Sequence, residues 1–428
     1  MAALSVFEYF LVLLAAILAS NVINRFLPFL SVPIIQIVLG ALITLLPLGF
    51  HFELEPDLFF VLFIAPLVFN SGKDLDKKTF WSVKGPILNF AFLLVFVTVI
   101  SVGYFVHFII PAIPLAAAFA LIASLGPTDD VAVDSVVKRL KMPPRIMNIL
   151  VGESLLNDVS GIINFQFALA AAVSGTFSWI AAGRQFLILG LGGILIGLAF
   201  TLIKLLLVRW LRSLGMENVT FHILIELLTP FLVYIISEKC GTSGVLAVFT
   251  AGVAHSFGKN KLNPETANLN IASENIWSMV SFTLDGLVFL ILGTQLPGIL
   301  ITIIGSPYSI STGRVILVIL LITALFMLIR FLWTFFTLRK KAYNEPENPL
   351  GKLKASLFIS LSGARGTVTL ASILSIPYIL SNGTPFPERD LLILISTGVI
   401  LCTLIVTTFI LPSLLKKRPR PKTAKEKG

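Results

Sequence analysis

Long apolar runs alternate with short polar ones along the whole chain. Thirteen runs are long enough to cross a bilayer, or nearly so, at about 6–24, 31–49, 57–71, 85–110, 112–137, 146–174, 181–208, 218–237, 242–257, 273–299, 315–338, 355–378 and 390–415. A lipid-embedded segment has no water to bond its backbone, so a helix of about 20 apolar residues is the economical way across. The third and ninth runs are the shortest. The pattern predicts an all-α polytopic membrane protein of about 13 transmembrane helices. The first run has no basic residue before it and no small-residue cleavage site after it, so it reads as a first span and not as a leader.

Composition agrees with this pattern. Hydrophobic residues make up 56% of the 428 positions and charged residues 13%, about half the charged share of soluble domains. The net charge of +10 would suggest a nucleic-acid partner in a soluble protein, but its placement points to the membrane. With the N-terminus outside, 25 of the 32 Lys and Arg fall in loops and tail on the inner side, four fall outside, and Lys204, Arg330 and Arg365 lie within spans. This asymmetry predicts an outside N-terminus and a cytoplasmic C-terminus. Residues 1–415 form the transmembrane unit, and 416–428 a basic cytoplasmic tail suited to an anionic inner leaflet. Cys240 and Cys402 offer no disulfide framework, and the four His show no metal-ligand spacing.

An odd span count with one pivot predicts two inverted six-helix repeats, spans 1–6 and 8–13. Such repeats place the site at the bilayer midplane on helices broken at corresponding positions. Spans 5 and 12 correspond, and both are interrupted, near 127–130 by Pro127-Thr128-Asp129-Asp130 and near 362–367 by Ser362-Gly363-Ala364-Arg365-Gly366-Thr367.

Charges inside spans are costly and mark function. They include Asp129, Asp130, Glu153, Asp158, Glu226, Asp285, Arg330 and Arg365. Ser154 and Asp158 are four apart in span 6 and share a face, while Asn157 stands four after Glu153 on a neighbouring one. A carboxylate, a hydroxyl and carbonyls freed by the break at Thr128 make the oxygen set that a hard cation takes. Asp129 and Asp130 also fit as caps of a half-helix starting near Val131. Glu153, paired with an intramembrane arginine, would be a strut; Glu226 and Asp285 read equally as hydrogen-bonded packing residues.

The strings Pro127-Thr128-Asp129-Asp130-Val131-Ala132-Val133, Gly152-Glu153-Ser154-Leu155-Leu156-Asn157-Asp158 and Gly363-Ala364-Arg365-Gly366 resemble those of monovalent cation:proton antiporters of the NhaP/NHE type, the first cation:proton antiporter family. Span count, topology and motif order extend the resemblance over nearly the whole chain. It implies a plasma-membrane homodimer, with dimer and core subdomains interleaved in sequence, that exchanges Na+, Li+ or K+ for H+. By the same resemblance the ion site falls on Asp158, Asp129, Ser154 and the Thr128 backbone, with Asn157 beside it. The ion pair falls on Glu153 and Arg330, and Arg365 matches the arginine of the broken span 12. The Asn157-Asp158 pair goes with electroneutral exchange. The chain departs twice, with Asp130 where relatives usually carry Pro and Asn70 where many carry an acid. Both are accessory candidates that bear on stoichiometry.

No Gly-x-x-x-x-Gly-Lys-Ser/Thr loop is present, so the energy source is a gradient and the chain reads as neither an enzyme nor a cofactor protein. A cation-coupled solute symporter would need an organic pocket, and a channel would more naturally carry repeated filter loops. A non-transporting sensor draws support only from the basic tail.

Overall fold

The computed structural model describes residues 2–28, 30–44, 56–75, 77–129, 144–174, 179–215, 218–257, 264–305, 312–338, 344–345, 348–349 and 351–415. Asp130, the expected half-helix after it and the tail 416–428 lie outside the described residues. Every one of the thirteen apolar runs carries helix. The first two are α1 (Ala2–Phe26) and α2 (Val32–Thr44). Helix α3 runs through Pro56–Phe59, a π-helical Phe60–Ile64 and Ala65–Lys73; α4 runs through Lys77–Leu88, a π-helical Asn89–Leu94 and Val95–Ile109. Then follow α5 (Leu115–Ser124), α6 (Pro144–Ser174), α7 (Trp179–Ser213), α8 (Val219–Lys239), α9 (Gly244–Phe257), α10 (Pro264–Gly305) and α11 (Thr312–Thr337). The twelfth run is split into α12 (Lys352–Leu361) and α13 (Thr367–Leu374). The last, α14, continues from Arg389–Ile405 through a π-helical Val406–Ile410 to Leu411–Leu415. Among the described residues, eight helices are long and apolar enough to cross a membrane by length and composition, and α2, α3, α5 and α9 contribute shorter apolar stretches. A two-residue hairpin, Asn344–Glu345 against Asn348–Pro349, precedes α12.

The repeat is legible in the packing. Shifting by seven spans carries the pair α2–α10 onto α9–α3, α1–α2 onto α8–α9, α4–α5 onto α11–α12, and α4–α6 onto α11–α14; all eight pairs are in contact. Two sets of helices result. One is α1–α3 with α7–α10; the other is α4–α6 with α11–α14.

Within the first set, two glycine crossings repeat the symmetry. Gly40 of α2 lies on Gly293 of α10, and Gly252 of α9 lies on Gly72 of α3. A Cβ on Gly40 would meet the Leu290 carbonyl, and one on Gly252 the Phe69 carbonyl. Apolar chains gain nothing by leaving lipid for each other, so close backbone approach of small residues supplies the contact. Gly293→Ala is therefore expected to lower stability by ~1–3 kcal/mol, read as a drop in Tm in detergent. Gly298→Ala in the same helix, where a Cβ meets nothing within 4 Å, should not lower it.

The wide turn at Asn89–Leu94 serves α6. A π turn displaces carbonyls from the regular ladder, and Ala91 O accepts from the Ser160 hydroxyl at 2.5 Å. This contact fixes α4 against the stretch of α6 that carries Asp158.

Candidate functional site

The two interrupted segments cross. The Asp129 N–H donates to Ala364 O at 2.8 Å, joining the break after α5 to the break after α12. Helix α5 ends with carbonyls that have no helical donor, the normal condition of a C-terminus. The Arg365 guanidinium supplies donors, to Gly126 O and to Pro127 O (2.9 Å for the latter), and its positive charge suits that helix end. Its own N–H donates to Thr403 Oγ1 of α14 at 3.1 Å, and its guanidinium stacks 4.7 Å over the Phe326 ring. Arg365 is thus buried as a clamp between the breaks.

Helix α6 holds the break from the other side. Asn157 grips Thr128 twice: its Nδ2 donates to Thr128 Oγ1 at 2.6 Å and its Oδ1 accepts from the Thr128 N–H at 3.2 Å. Asn157 therefore faces the break. The Ser154 hydroxyl donates to Thr128 O at 2.6 Å. That bond leaves the carbonyl a second lone pair and the hydroxyl oxygen its acceptor capacity. Asp158 follows one turn after Ser154.

Glu153 faces away from this cluster. Its carboxylate pairs with Arg330 of α11 through both oxygens, at 2.5 and 2.8 Å, and Arg330 Nε donates to Ile359 O of α12 at 2.9 Å. Both side chains are buried. The pair ties α6, α11 and α12 together with bidentate geometry.

A cavity of about 320 Å³ lies against the crossing. Thr128, Asp129 and Asp158 line it on one side, Asn70 and Asp74 of α3 and Asp285 of α10 on the other. It continues into a larger cavity of about 600 Å³ that shares Asn70, Asp74, Ser281 and Asp285 and adds the exposed Glu274. The two form an acidic funnel ending at the crossing. The Asp129 carboxylate packs directly on Gly366, where a Cβ would overlap it. Gly366→Ala is expected to displace that carboxylate and lower stability by ~1–3 kcal/mol, read as a drop in Tm in detergent.

Residues 10–417 match the family described as "Sodium/hydrogen exchanger, transmembrane". The chain belongs to the sodium/hydrogen exchanger family. This is a family of transporters, and the chain is one of its multi-pass membrane proteins. A Bacillus subtilis (strain 168) relative, "Sodium, potassium, lithium and rubidium/H(+) antiporter", is 48% identical over 96% of this chain and 62% of its own length. The chain thus spans less than two thirds of that relative. "Uncharacterized Na(+)/H(+) exchanger YjcE" of Escherichia coli (strain K12) is 36% identical over 96% of this chain and 77% of its own length. In fold, the chain matches the sodium proton antiporter MjNhaP1 from Methanocaldococcus jannaschii at pH 8, with TM-score 0.72, 17% identity, and coverage of 97% and 99%.

Some charges of this family member lie elsewhere than the sequence suggested. Lys73, one of the 25 basic residues that the sequence assigns to inner loops and tail, is buried at the end of α3 and pairs with Glu226 of α8 at 2.8 Å. The Ser273 hydroxyl approaches both Glu226 oxygens, at 2.9 and 3.0 Å. His255 Nε2 lies 3.6 Å from Glu226, and its other ring nitrogen lies 3.2 Å from Lys204 Nζ. Helix packing brings together side chains that sequence spacing leaves isolated. Glu226 belongs to this buried ionic cluster and does not line the funnel.

Sequence reasoning passed over Asp74, Glu274 and Ser281, and left Asp285 open. A signal was present. Glu274, Ser278, Ser281 and Asp285 recur at helical spacing in α10, a polar stripe along one face of the helix.

Proposed function

We propose that this exchanger is a secondary antiporter that swaps a monovalent metal cation for a proton. The observation that carries the reading is the meeting of Asp129, Asp158, Thr128 and Ser154 where two broken segments cross at the end of an acidic funnel. The names of the relatives agree with it. Asp158 holds either the proton or the cation, because protonation removes the charge that the cation needs. Asp129, the Thr128 carbonyl and the Ser154 hydroxyl complete an oxygen set suited to Na+, Li+ or K+. Asn157 positions Thr128, Arg365 clamps the breaks, and Glu153 with Arg330 is the strut.

Exchange then follows from competition. The empty, charged site is costly to carry through an apolar barrier, so the moving set passes between faces only when proton or cation neutralises it. The set α4–α6 with α11–α14 is the moving core, and α1–α3 with α7–α10 is the dimer-forming scaffold of a homodimer. The basic loops put the C-terminus in the cytoplasm of a cell whose plasma membrane holds the protein. One carboxylate exchanging one charge for one makes the cycle electroneutral. Asp130 and Asn70, the two departures from the family pattern, act as accessory groups. The test is purified protein in liposomes carrying a pH gradient. Added Na+, Li+ or K+ should dissipate the gradient with no dependence on membrane potential. Dissipation that requires an organic solute, or current without proton movement, would contradict the reading.

A further inference from the structure

We infer that Asp285 is a third carboxylate of the cation site, one that serves the cation on one face of the membrane only. The inference deepens the exchange reading and rests on it. Asp285 lines both cavities, so it stands where the funnel narrows from its mouth towards Asp129 and Asp158. It is on α10, in the scaffold set. Its Oδ1 accepts from the Thr367 hydroxyl at 3.0 Å, and Thr367 begins α13, in the core set. The bond therefore bridges the two sets at the crossing. Asn70, where a carboxylate is lacking, faces the same stripe of α10; its Nδ2 donates to Ser281 Oγ at 3.2 Å, one turn before Asp285. On the scaffold side of the funnel, the negative charge comes from Asp285 of α10 and from Asp74, whose Oδ2 accepts from Asn70 Nδ2 at 3.1 Å; position 70 itself brings an amide.

Placement on the scaffold has a consequence. When the core carries Asp129 and Asp158 to the opposite face, Asp285 stays behind and the Thr367 bond breaks. The cation meets Asp285 in addition to Asp129 and Asp158 when it enters through this funnel, and Asp129 and Asp158 without it when it enters from the other side. Cation affinity in oxygen sites rises with the number of charged ligands, so apparent affinity differs between the faces.

Transport is compared in everted and right-side-out vesicles, with the amount of folded protein checked in each. Asp285→Asn is expected to raise the apparent KM for cation about tenfold from one face and less than about twofold from the other, with maximal rate retained. Asp285→Glu should keep KM near wild type on both faces. Asn70→Asp combined with Asp285→Asn should restore the affinity, a rescue that a packing role would not give. If Asp285→Asn fails to accumulate, the double variant decides: one-sided affinity near wild type supports the assignment, and affinity weakened alike on both faces overturns it. Unchanged KM, or a KM raised equally on both faces while the wild type exchanges normally, overturns the assignment of Asp285 alone. A wild type that dissipates no gradient with any cation overturns the exchange reading and this inference together.

Discussion

Asp158→Asn should reduce cation-driven dissipation of a pH gradient to the level of protein-free liposomes, with Na+, Li+ and K+ alike. Asp158 lines the cavity at the crossing and is only half-buried, and Asn70, Asp74, Asp129 and Asp285 line the same cavity. An amide has the shape of a protonated carboxyl, so the fold should accept it and the variant should accumulate normally. Exchange requires more than shape. The amide cannot trade a proton for a metal ion, and it gives the cation no compensating charge. Asp158→Glu, which keeps the charge on a longer arm, should retain measurable exchange at reduced cation affinity. Full exchange by a well-folded Asp158→Asn protein would falsify the mechanism.

The second large effect concerns amount of protein instead of transport. Arg330→Leu leaves Glu153 buried with its charge uncompensated, and truncating one partner of such a pair costs ~3–5 kcal/mol. The same change removes the donor that holds Ile359 O, so α12 keeps the Ser360 hydroxyl bond to Met327 O but loses this tie to α11. Little folded protein is expected, measured by membrane accumulation and by a monodisperse peak in detergent. Replacing both charges by neutral residues of similar volume is commonly close to neutral. Glu153→Gln with Arg330→Met should therefore recover most of the accumulation, and the recovered protein should exchange. A double variant that accumulates but does not transport would mean that the pair carries part of the proton path and is more than a strut.

The spans and the breaks were legible because each has a one-dimensional signature. Apolar runs announce helices, and Pro127 and Gly363 through Gly366 announce interruptions. Pairing of span 5 with span 12 followed from counting, and the Asp129 to Ala364 bond is its physical realisation. What one dimension hides is which face a side chain takes in three. Spacing alone put Asn157 four after Glu153 and only the resemblance put it beside the ion site; its amide meets both the N–H and the hydroxyl of Thr128. Lys73 was read as a loop charge, yet α3 continues far enough to bury it against Glu226. Nothing in sequence links His255 to Lys204 or Glu226, and the packing of α9 brings it to both. The α10 stripe shares a 42-residue helix with other polar positions such as Asn270, Ser273 and Asn275, so its four members do not stand out until the funnel groups them.

The central claim is that proton and cation compete for one site. The most direct test is the apparent KM for cation, measured in proteoliposomes at a series of pH values. Competition by one proton predicts that KM rises about tenfold for each unit of acidification below the titration of the site, with maximal rate unchanged, because the ligand must be deprotonated to hold the metal. A KM that stays constant over the same range while protons are still moved would mean separate sites, and would contradict the account.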